Sequence, residues 1–255
     1  MIVLVTDFGL ADPYAGVVKG VILGRAPGVR IVDLCHEVPP QDLRHAVFVL
    51  ASSRTFFPEG TIFVTVVDPG VGTDRRILCA IAGGQVHLAP DNGILGAIPA
   101  DRVEAVHAVE RPDLYLSPVS PTFQGRDVFA PVAAAIATGL DPRSVGPPVE
   151  SYLRLELPRA RRTAEGWTGE VLVVDRFGNL VTNVPGDSLA GLRTPPRVWV
   201  RGMPAVSLAR SYADRAPGEL VAVVGSSGYL EVAVNRGSAA AKLSAAVGSV
   251  VEVWL

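Results

Sequence analysis

Apolar and polar positions follow two different patterns along the chain, and the first pattern covers roughly its first half. Short runs rich in β-branched residues, at 2–5, 31–34 and 62–67, predict strands that are buried on both faces. Apolar residues at helical spacing follow the Asp12-Pro13 pair and a later Pro-Pro pair. Asp12 is predicted to cap the first of these helices, with Pro13 at its first helical position. This β–α–β–α order predicts a mostly parallel sheet with helices on both faces.

A hairpin and a third helix are predicted later in this half. The apolar runs 78–81 and 86–88 are separated by a Gly-Gly turn, which favours two paired strands. A helix is predicted over 128–138, with Asp127 as its N-cap and Gly139 just after its end.

Short strands replace long helices in the second half of the chain, after about Asp141. Turn residues separate these strands, as in a small antiparallel β-barrel. The strands are predicted at 153–157, 169–174, 180–184, 197–200, 220–224, 229–234 and 250–254. We therefore predict an α/β fold with two domains. An N-terminal domain over 1–148 has a mostly parallel sheet flanked by helices, and a C-terminal domain over 149–255 is a small antiparallel β-barrel.

Composition narrows the choice of partners and compartment. The chain has 255 residues, 49% hydrophobic and 19% charged, with a net charge of -2. A net charge so close to zero does not indicate the positively charged surface that binds nucleic acid. The apolar start is too short to span a membrane and lacks the basic flank of a signal peptide. Cys35 and Cys79 lie in apolar strands, which is typical of core residues in a reducing compartment. We predict a cytoplasmic protein with neither nucleic-acid nor membrane partners.

Polar residues follow three of the predicted strands: Asp7, His36 and Asp68. The carboxyl ends of parallel strands share one edge of a sheet, where open α/β sheets bind their ligands. After Asp68, a turn with two glycines leads to Arg75 and Arg76, which can hold the carboxylate or supply positive potential. The alternative interpretation is a tight turn whose aspartate caps its own backbone.

A metal site is another interpretation of the same residues. Asp7, Asp68, Asp91 and His36 offer oxygen and imidazole ligands for a metal-dependent phosphohydrolase. However, the sequence has only four histidines and no HExxH, DxD or CxxC spacing. Neither a phosphate-binding glycine loop nor a GxSxG nucleophile motif is present. We predict no catalytic metal.

Three further segments carry polar and aromatic side chains that can meet a ligand. In the segment 122–127, Phe123 is either a core residue or a ring that lies on a base or ribose. The loop 175–179 offers a carboxylate, an aromatic plane and an amide, and is otherwise an ordinary hairpin loop. The loop 225–229 offers hydroxyls and backbone N–H groups that can bind a carboxylate.

These segments, taken together and in this order, resemble the SAM hydroxide adenosyltransferase family, relatives of the fluorinase and chlorinase that act on S-adenosylmethionine. The resemblance spans nearly the whole chain. The matching segments are Thr6-Asp7-Phe8-Gly9, 31–36, 67–73, Pro90-Asp91-Asn92-Gly93, 122–127, 175–179, Thr182-Asn183 and Gly228-Tyr229-Leu230. The resemblance implies a homotrimer with ligand sites between neighbouring subunits. It also implies cleavage of S-adenosylmethionine by water to adenosine and methionine, with no metal and no cofactor.

The resemblance also implies roles for residues of the first half. Asp7 would hold the ribose hydroxyls, while Asp68 and Arg75 would orient the attacking water or hydroxide. The family's third polar partner is a histidine, and Gln124 stands at that position here. Glutamine can hydrogen-bond water but cannot take up its proton. This departure favours one alternative function, a non-catalytic adenosine or S-adenosylmethionine binding protein.

In the second half, the resemblance implies that Asp175 and Asn179 meet the amino and carboxylate end of methionine, with Ser226 assisting. Phe177 and the Asn235-Arg236 segment would lie near the adenine. The halogenating relatives carry tyrosine where this chain has Asp68. An acid at that position would repel a halide ion, so halogenation is not expected.

Overall fold

The computed structural model describes residues 1–190, 192 and 195–255. These residues form two compact units, Met1–Glu156 and Leu157–Leu255. No helix of the described residues is both long enough and apolar enough to span a membrane.

The first unit is built on one six-stranded sheet. Its elements, in chain order, are β1 (Ile2–Thr6), α1 (Tyr14–Arg25), β2 (Ile31–Cys35), α2 (Leu43–Ser53), β3 (Ile62–Val66), β4 (Ile77–Ala82), β5 (Gln85–Pro90), β6 (Val103–Ala108) and α3 (Ala130–Ala137). The strand order is β2-β1-β3-β5-β4-β6. Neighbours among β2, β1, β3 and β5 are parallel, and β4 is antiparallel to both of its neighbours. The mostly parallel sheet and the β4–β5 hairpin are confirmed.

Helices cover this sheet because its strands are apolar on both faces. Ile2 and Leu4 of β1 pack in one cluster with Val18 of α1 and Val132 of α3. Successive strand residues point to opposite faces, so Val3, which is also fully buried, faces the other side. The helix α2, which contacts β1, contributes none of its buried residues to that cluster.

The structure corrects two helix starts. Pro13, not Asp12, is the N-cap of α1, and no side chain among the described residues caps that end. The Pro13 carbonyl accepts the N–H of Val17, so the proline supplies the first acceptor of the helix from just outside it. Asp127 is not an N-cap either. It lies in a π-helical turn (Gly125–Phe129) before α3, and its carboxylate accepts the N–H of Ser120.

The second unit is an antiparallel, nearly closed barrel. Its elements are β7 (Arg161–Arg162), β8 (Gly166–Val174), β9 (Leu180–Pro185), β10 (Arg197–Val200), β11 (Met203–Ser207), β12 (Leu220–Val224), β13 (Tyr229–Val234), α4 (Ala239–Leu243) and β14 (Val250–Trp254). The strand order is β11-β10-β14-β8-β9-β13-β12, and β7 pairs with β8. A bridge between Leu208 and Ala222 links the two ends of this order. The predicted β-barrel class is confirmed.

The strand predictions were wrong at four places. Residues 153–157 form no strand, and Arg154 makes only an isolated bridge to Gly93. Strands β6, β7 and β11 were missed. β7 has only two residues, and β11 contains a proline, which argues against a strand. β6 is only partly buried, so it lacks the continuous apolar run of its neighbours.

Candidate active site

The first cluster of the site lies just beyond the carboxyl end of β3. Asp68 follows that strand by two residues, and the chain then turns back through Gly70 and Gly72 to Arg75. Arg75 Nε donates to Asp68 Oδ1 at 3.0 Å, and Arg75 Nη2 donates to Asp68 Oδ2. The two side chains are 10% and 4% exposed. This is the bidentate, desolvated geometry in which arginine and carboxylate attract each other most strongly.

Gln124 completes this cluster. Arg75 Nη2 also donates to Gln124 Oε1, so one guanidinium joins two residues that lie 56 positions apart. A guanidinium can only donate, so the amide oxygen of Gln124 faces Arg75 and its NH₂ group is directed elsewhere as a donor. The structure therefore brings Asp68, Arg75 and Gln124 together as a polar trio.

A close backbone approach fixes the spacing of this trio. Gly72 has φ +81, and a Cβ built there would lie 2.5 Å from the carbonyl oxygen of Pro121. A real side chain does not fit at that distance. The glycine turn of Asp68 therefore rests directly on the segment that leads into Gln124.

Asp7 and Phe123 lie in the same unit. Asp7 Oδ2 accepts the backbone N–H of Gln41 at 2.9 Å. Phe123 packs edge-on against Tyr14 and Phe8, with ring centroids 5.2 and 5.9 Å away. Phe123 is thus half-buried in an aromatic cluster, which supports the core interpretation while leaving part of the ring accessible.

His36 has protein partners rather than a place in the trio. Its Nδ1 lies 2.7 Å from Thr6 Oγ1, and its Nε2 lies 3.0 Å from Asp33 Oδ1. Lys19 also binds Asp33, at 2.8 Å. Burial alone would raise the pKa of Asp33, but the hydrogen bonds from Lys19 and His36 bring it below its usual value. Asp33 is therefore part of a structural network with His36 and Lys19.

Asp91, the remaining strand-end acid, pairs with Arg76 and accepts the N–H of Leu153 at 2.8 Å. It therefore tethers the chain segment that follows the sheet. Within the described residues, no group of three or more histidine, cysteine, aspartate or glutamate side chains is placed to hold a metal ion.

The loop between β8 and β9 forms the first part of a second cluster, in the barrel. Asp175 Oδ1 accepts the backbone N–H groups of Phe177 and Asn179 at 2.9 and 2.8 Å. Asp175 Oδ2 accepts the Asn179 side-chain amide at 2.8 Å. The aspartate thus closes its own loop, which presents Phe177 to solvent at 75% exposure.

A cavity of about 710 Å³ lies beside this loop. Its volume is typical of a small-molecule site. The five residues predicted from the second half all line it: Asp175, Phe177, Asn179, Ser226 and Asn235. Residues from three separate loops and strands thus meet at one cavity.

Tyr212 and Glu231 also line the cavity, and the sequence analysis missed both. The Tyr212 hydroxyl donates to Glu231 Oε1 at 2.6 Å. Burial raises the pKa of Glu231; the Tyr212 hydrogen bond opposes this and the Asp175 charge adds to it. The signal was available, because Glu231 is a lone charge in the otherwise apolar middle of β13.

The molecule is thus an α/β domain with an acid–guanidinium pair at a strand end, followed by a β-barrel with a small-molecule cavity. Comparison of the sequence with known families identifies the family to which this protein belongs. Residues 2–146 match the SAM hydroxide adenosyltransferase N-terminal domain, and residues 169–252 match the C-terminal domain of the same family. The chain belongs to the SAM hydroxide adenosyltransferase family, which confirms the resemblance.

Individual relatives agree with this assignment. The chain is 45% identical to the (R)-S-adenosyl-L-methionine hydrolase of Thermus thermophilus over 92% of this chain and 91% of the relative. It is 29% identical to a fluorinase of Nocardia brasiliensis, over 99% of this chain and 96% of that enzyme. The crystal structure of an uncharacterized conserved protein from Thermotoga maritima superposes with a TM-score of 0.94 at 37% identity, covering both chains completely.

Proposed function

We propose that this protein is an enzyme that hydrolyses S-adenosyl-L-methionine to adenosine and L-methionine. The observation that carries the proposal is the 45% identity to an (R)-S-adenosyl-L-methionine hydrolase over nine-tenths of both chains. The Asp68–Arg75–Gln124 trio supplies polar groups suited to holding a water molecule.

The relative's name specifies the R epimer, and we propose the same preference for this chain. The sulfonium sulfur is pyramidal, so the direction of the methionine chain relative to the ribose differs between the two epimers. A site that holds both ends of the substrate presents the ribose 5′ carbon for in-line attack in one epimer only.

The reaction needs little besides positioning of the nucleophile. Attack of water at the ribose 5′ carbon breaks the bond to sulfur and releases a neutral thioether, so no acid is required for the leaving group. Asp68 accepts the proton of the water, and the Arg75 guanidinium keeps that carboxylate oriented. The Gln124 NH₂ group donates to the water oxygen and aligns it with the carbon–sulfur bond. Ideal alignment of this kind lowers a barrier by about 7–11 kcal/mol.

The other predicted residues bind the substrate in this proposal. Asp7 accepts hydrogen bonds from the ribose hydroxyls, and Phe123 lies beside the sugar. Asp175, Asn179 and Ser226 bind the methionine end.

Phe177 and Asn235 lie near the adenine in the same proposal. We further propose a homotrimer in which neighbouring copies contribute to each site, no metal or cofactor requirement, and a cytoplasmic location. Light scattering coupled to size-exclusion chromatography measures the first of these, and a dimer or monomer mass contradicts it.

Incubation of the purified protein with each epimer of S-adenosylmethionine, with adenosine followed by chromatography, tests the activity. We expect adenosine and methionine in equal amounts from the R epimer, with the same rate after EDTA treatment. Loss of activity with EDTA would instead support a metal-dependent phosphohydrolase. Calorimetric binding without any adenosine would support a binding protein, and no adenosine above a heat-denatured control removes the proposal.

A further inference from the structure

One acidic side chain in the barrel cavity has no part in the roles given above. Glu231 lies in the middle of β13 and is only 7% exposed, yet it lines the cavity. Its Oε1 accepts the Tyr212 hydroxyl, while its Oε2 accepts no hydrogen bond from any described residue. That oxygen is not sealed from solvent, so a donor on a molecule in the cavity can reach it. Glu231 therefore has the properties of a ligand-binding group.

The position of the unpaired oxygen is defined by a glycine. A Cβ built on Gly225 would lie 2.8 Å from Glu231 Oε2. That oxygen therefore lies against the backbone just before Ser226, another residue that lines the cavity. The Tyr212 hydroxyl holds one side of the carboxylate and leaves the other beside the 225–229 loop.

Asp175 differs from Glu231 in how its oxygens are used. Its carboxylate accepts three hydrogen bonds from its own loop, two at Oδ1 and one at Oδ2. Asp175 is thus largely committed to loop structure, although its charge is close enough to raise the pKa of Glu231. The cavity is lined by these two carboxylates and by one guanidinium, Arg236, so its balance of charge still favours a ligand with a positive group.

We propose that Glu231 Oε2 binds the α-ammonium group of the methionine half of the substrate, with Tyr212 holding the carboxylate in place. This inference rests on the proposed function. The substrate carries two cations, a sulfonium and an ammonium, and only the ammonium has N–H groups. An oxygen that lacks a hydrogen-bond donor is therefore matched by the ammonium.

The test compares two substrates in two proteins. One substrate is (R)-S-adenosyl-L-methionine, and the other is the same sulfonium with hydrogen in place of the α-amino group. For Glu231→Gln we expect KM for the first substrate to rise about 10- to 100-fold, as for a lost charged hydrogen bond. We expect kcat to change less than about threefold and KM for the second substrate to change little, because the lost contact is remote from the reacting carbon.

Glu165→Gln, which removes an exposed glutamate of the same unit, is the matched control and leaves both KM values unchanged. Equal losses with both substrates in Glu231→Gln overturn the inference, since a structural defect or a sulfonium contact does not depend on the amino group. Gly225→Ala keeps the carboxylate but displaces it, so we expect a smaller loss of the same selectivity; a folded Gly225→Ala protein without that loss also counts against the inference.

The same experiment separates the inference from the proposed function. Absence of adenosine from the wild-type protein refutes the hydrolase assignment. Calorimetry with the two sulfonium compounds then tests Glu231 by affinity alone. Wild-type protein that binds both compounds equally, or neither, overturns the inference.

Discussion

Arg75 binds both carboxylate oxygens of Asp68, from the far side of a glycine turn that begins at the end of β3. The same guanidinium binds the oxygen of Gln124. One cation therefore aligns the acid and the amide that we propose to hold the attacking water. The arrangement separates two tasks, because Arg75 orients and the residues it holds contact the nucleophile.

Replacement of Asp68 tests the proton acceptor. We expect Asp68→Asn to lower kcat by about 100- to 10,000-fold, the usual effect of losing a general base. The KM for S-adenosylmethionine should change by less than about threefold, because the carboxylate contacts the water and not the bulk of the substrate. Steady-state kinetics with chromatographic detection of adenosine measures both.

Asp74→Asn is the control for this substitution, since Asp74 is an exposed acid in the same turn. It should retain wild-type kinetics. A large rise in KM with unchanged kcat in Asp68→Asn would show that Asp68 binds substrate and does not activate water.

Replacement of Gln124 by histidine should change how the rate responds to pH. Glutamine has no titratable group, whereas a histidine has an ordinary pKa near 6.5. In Gln124→His, a protonated imidazole beside Arg75 is repelled and can no longer accept its hydrogen bond. We therefore expect the ratio of kcat in Gln124→His to kcat in the wild type to fall as the pH is lowered from 8 to 5. Gln124→Leu should be slower than the wild type by a factor that does not vary with pH, and parallel profiles for Gln124→His and the wild type would contradict this account.

Glu231 should make substrate binding sensitive to mild acid. Burial raises the pKa of this carboxyl above 4.5; the Tyr212 hydrogen bond opposes the shift and the Asp175 charge supports it. Only the ionised form attracts an ammonium group, so KM should rise as the pH falls through the raised pKa. The KM of Glu231→Gln should lack this step, and identical pH profiles for the two proteins would refute the assignment.

The same residue should have the opposite effect on stability. Because its pKa is higher in the folded state than in the unfolded state, ionisation of Glu231 destabilises the fold as the pH rises through that pKa. We expect Glu231→Gln to be more stable than the wild type at pH 8 and equally stable below about pH 4. Chemical unfolding at several pH values measures the difference. A variant that is less stable at pH 8 would indicate a structural role.

His87 should limit stability in acid. Its ring stacks on Phe63 with centroids 4.9 Å apart, and neither ring nitrogen has a hydrogen-bond partner among the described residues. Burial, helped by the charge of Arg54, lowers the pKa of His87 from 6.5 to about 3. The unfolded chain therefore binds a proton at His87 that the folded chain does not bind. The free energy of unfolding falls as the pH drops from 6.5 towards 3. At pH 4 this costs the wild type about 3 kcal/mol of unfolding free energy.

His87→Leu removes that loss and keeps the site apolar. Its unfolding free energy should fall less than that of the wild type between pH 7 and pH 4, by about 3 kcal/mol. Urea unfolding at the two pH values gives the comparison. Parallel losses in the two proteins would show that His87 is protonated in the folded state.

The sequence alone predicted the architecture because its strongest signals are local. The continuous apolar runs of β1 and β3 and the sharp strand limits of β10 and β13 depend only on neighbouring residues. Predictions that required tertiary contacts were less accurate. Asp127 is a residue type that favours the N-cap, but its carboxylate binds the backbone N–H of Ser120, seven residues earlier, and the adjacent Arg126 instead.

The candidate site shows the same difference between local signals, which the sequence reveals, and tertiary contacts, which it does not. Polar residues at strand ends could be found from the sequence, but the sequence does not show which of them have other partners, as His36 and Asp91 do. Asn183, part of a segment that carries the family resemblance, uses its side chain to hold Glu170 and Pro158 and is structural. Glu231 was missed although it is a lone charge in an apolar strand, because only the fold brings it to its partner Tyr212, which lies 19 residues away.

The contact of Gly72 with the Pro121 carbonyl has a consequence for anyone who redesigns this enzyme. The distance between Asp68 and Gln124 is fixed by a contact between two main-chain segments. Longer or shorter side chains in the turn therefore cannot change it. Substitutions at position 124 can change the chemistry offered to the nucleophile. A larger residue at position 72 would instead push the two loops apart and displace the side chains of both loops from their positions in the site.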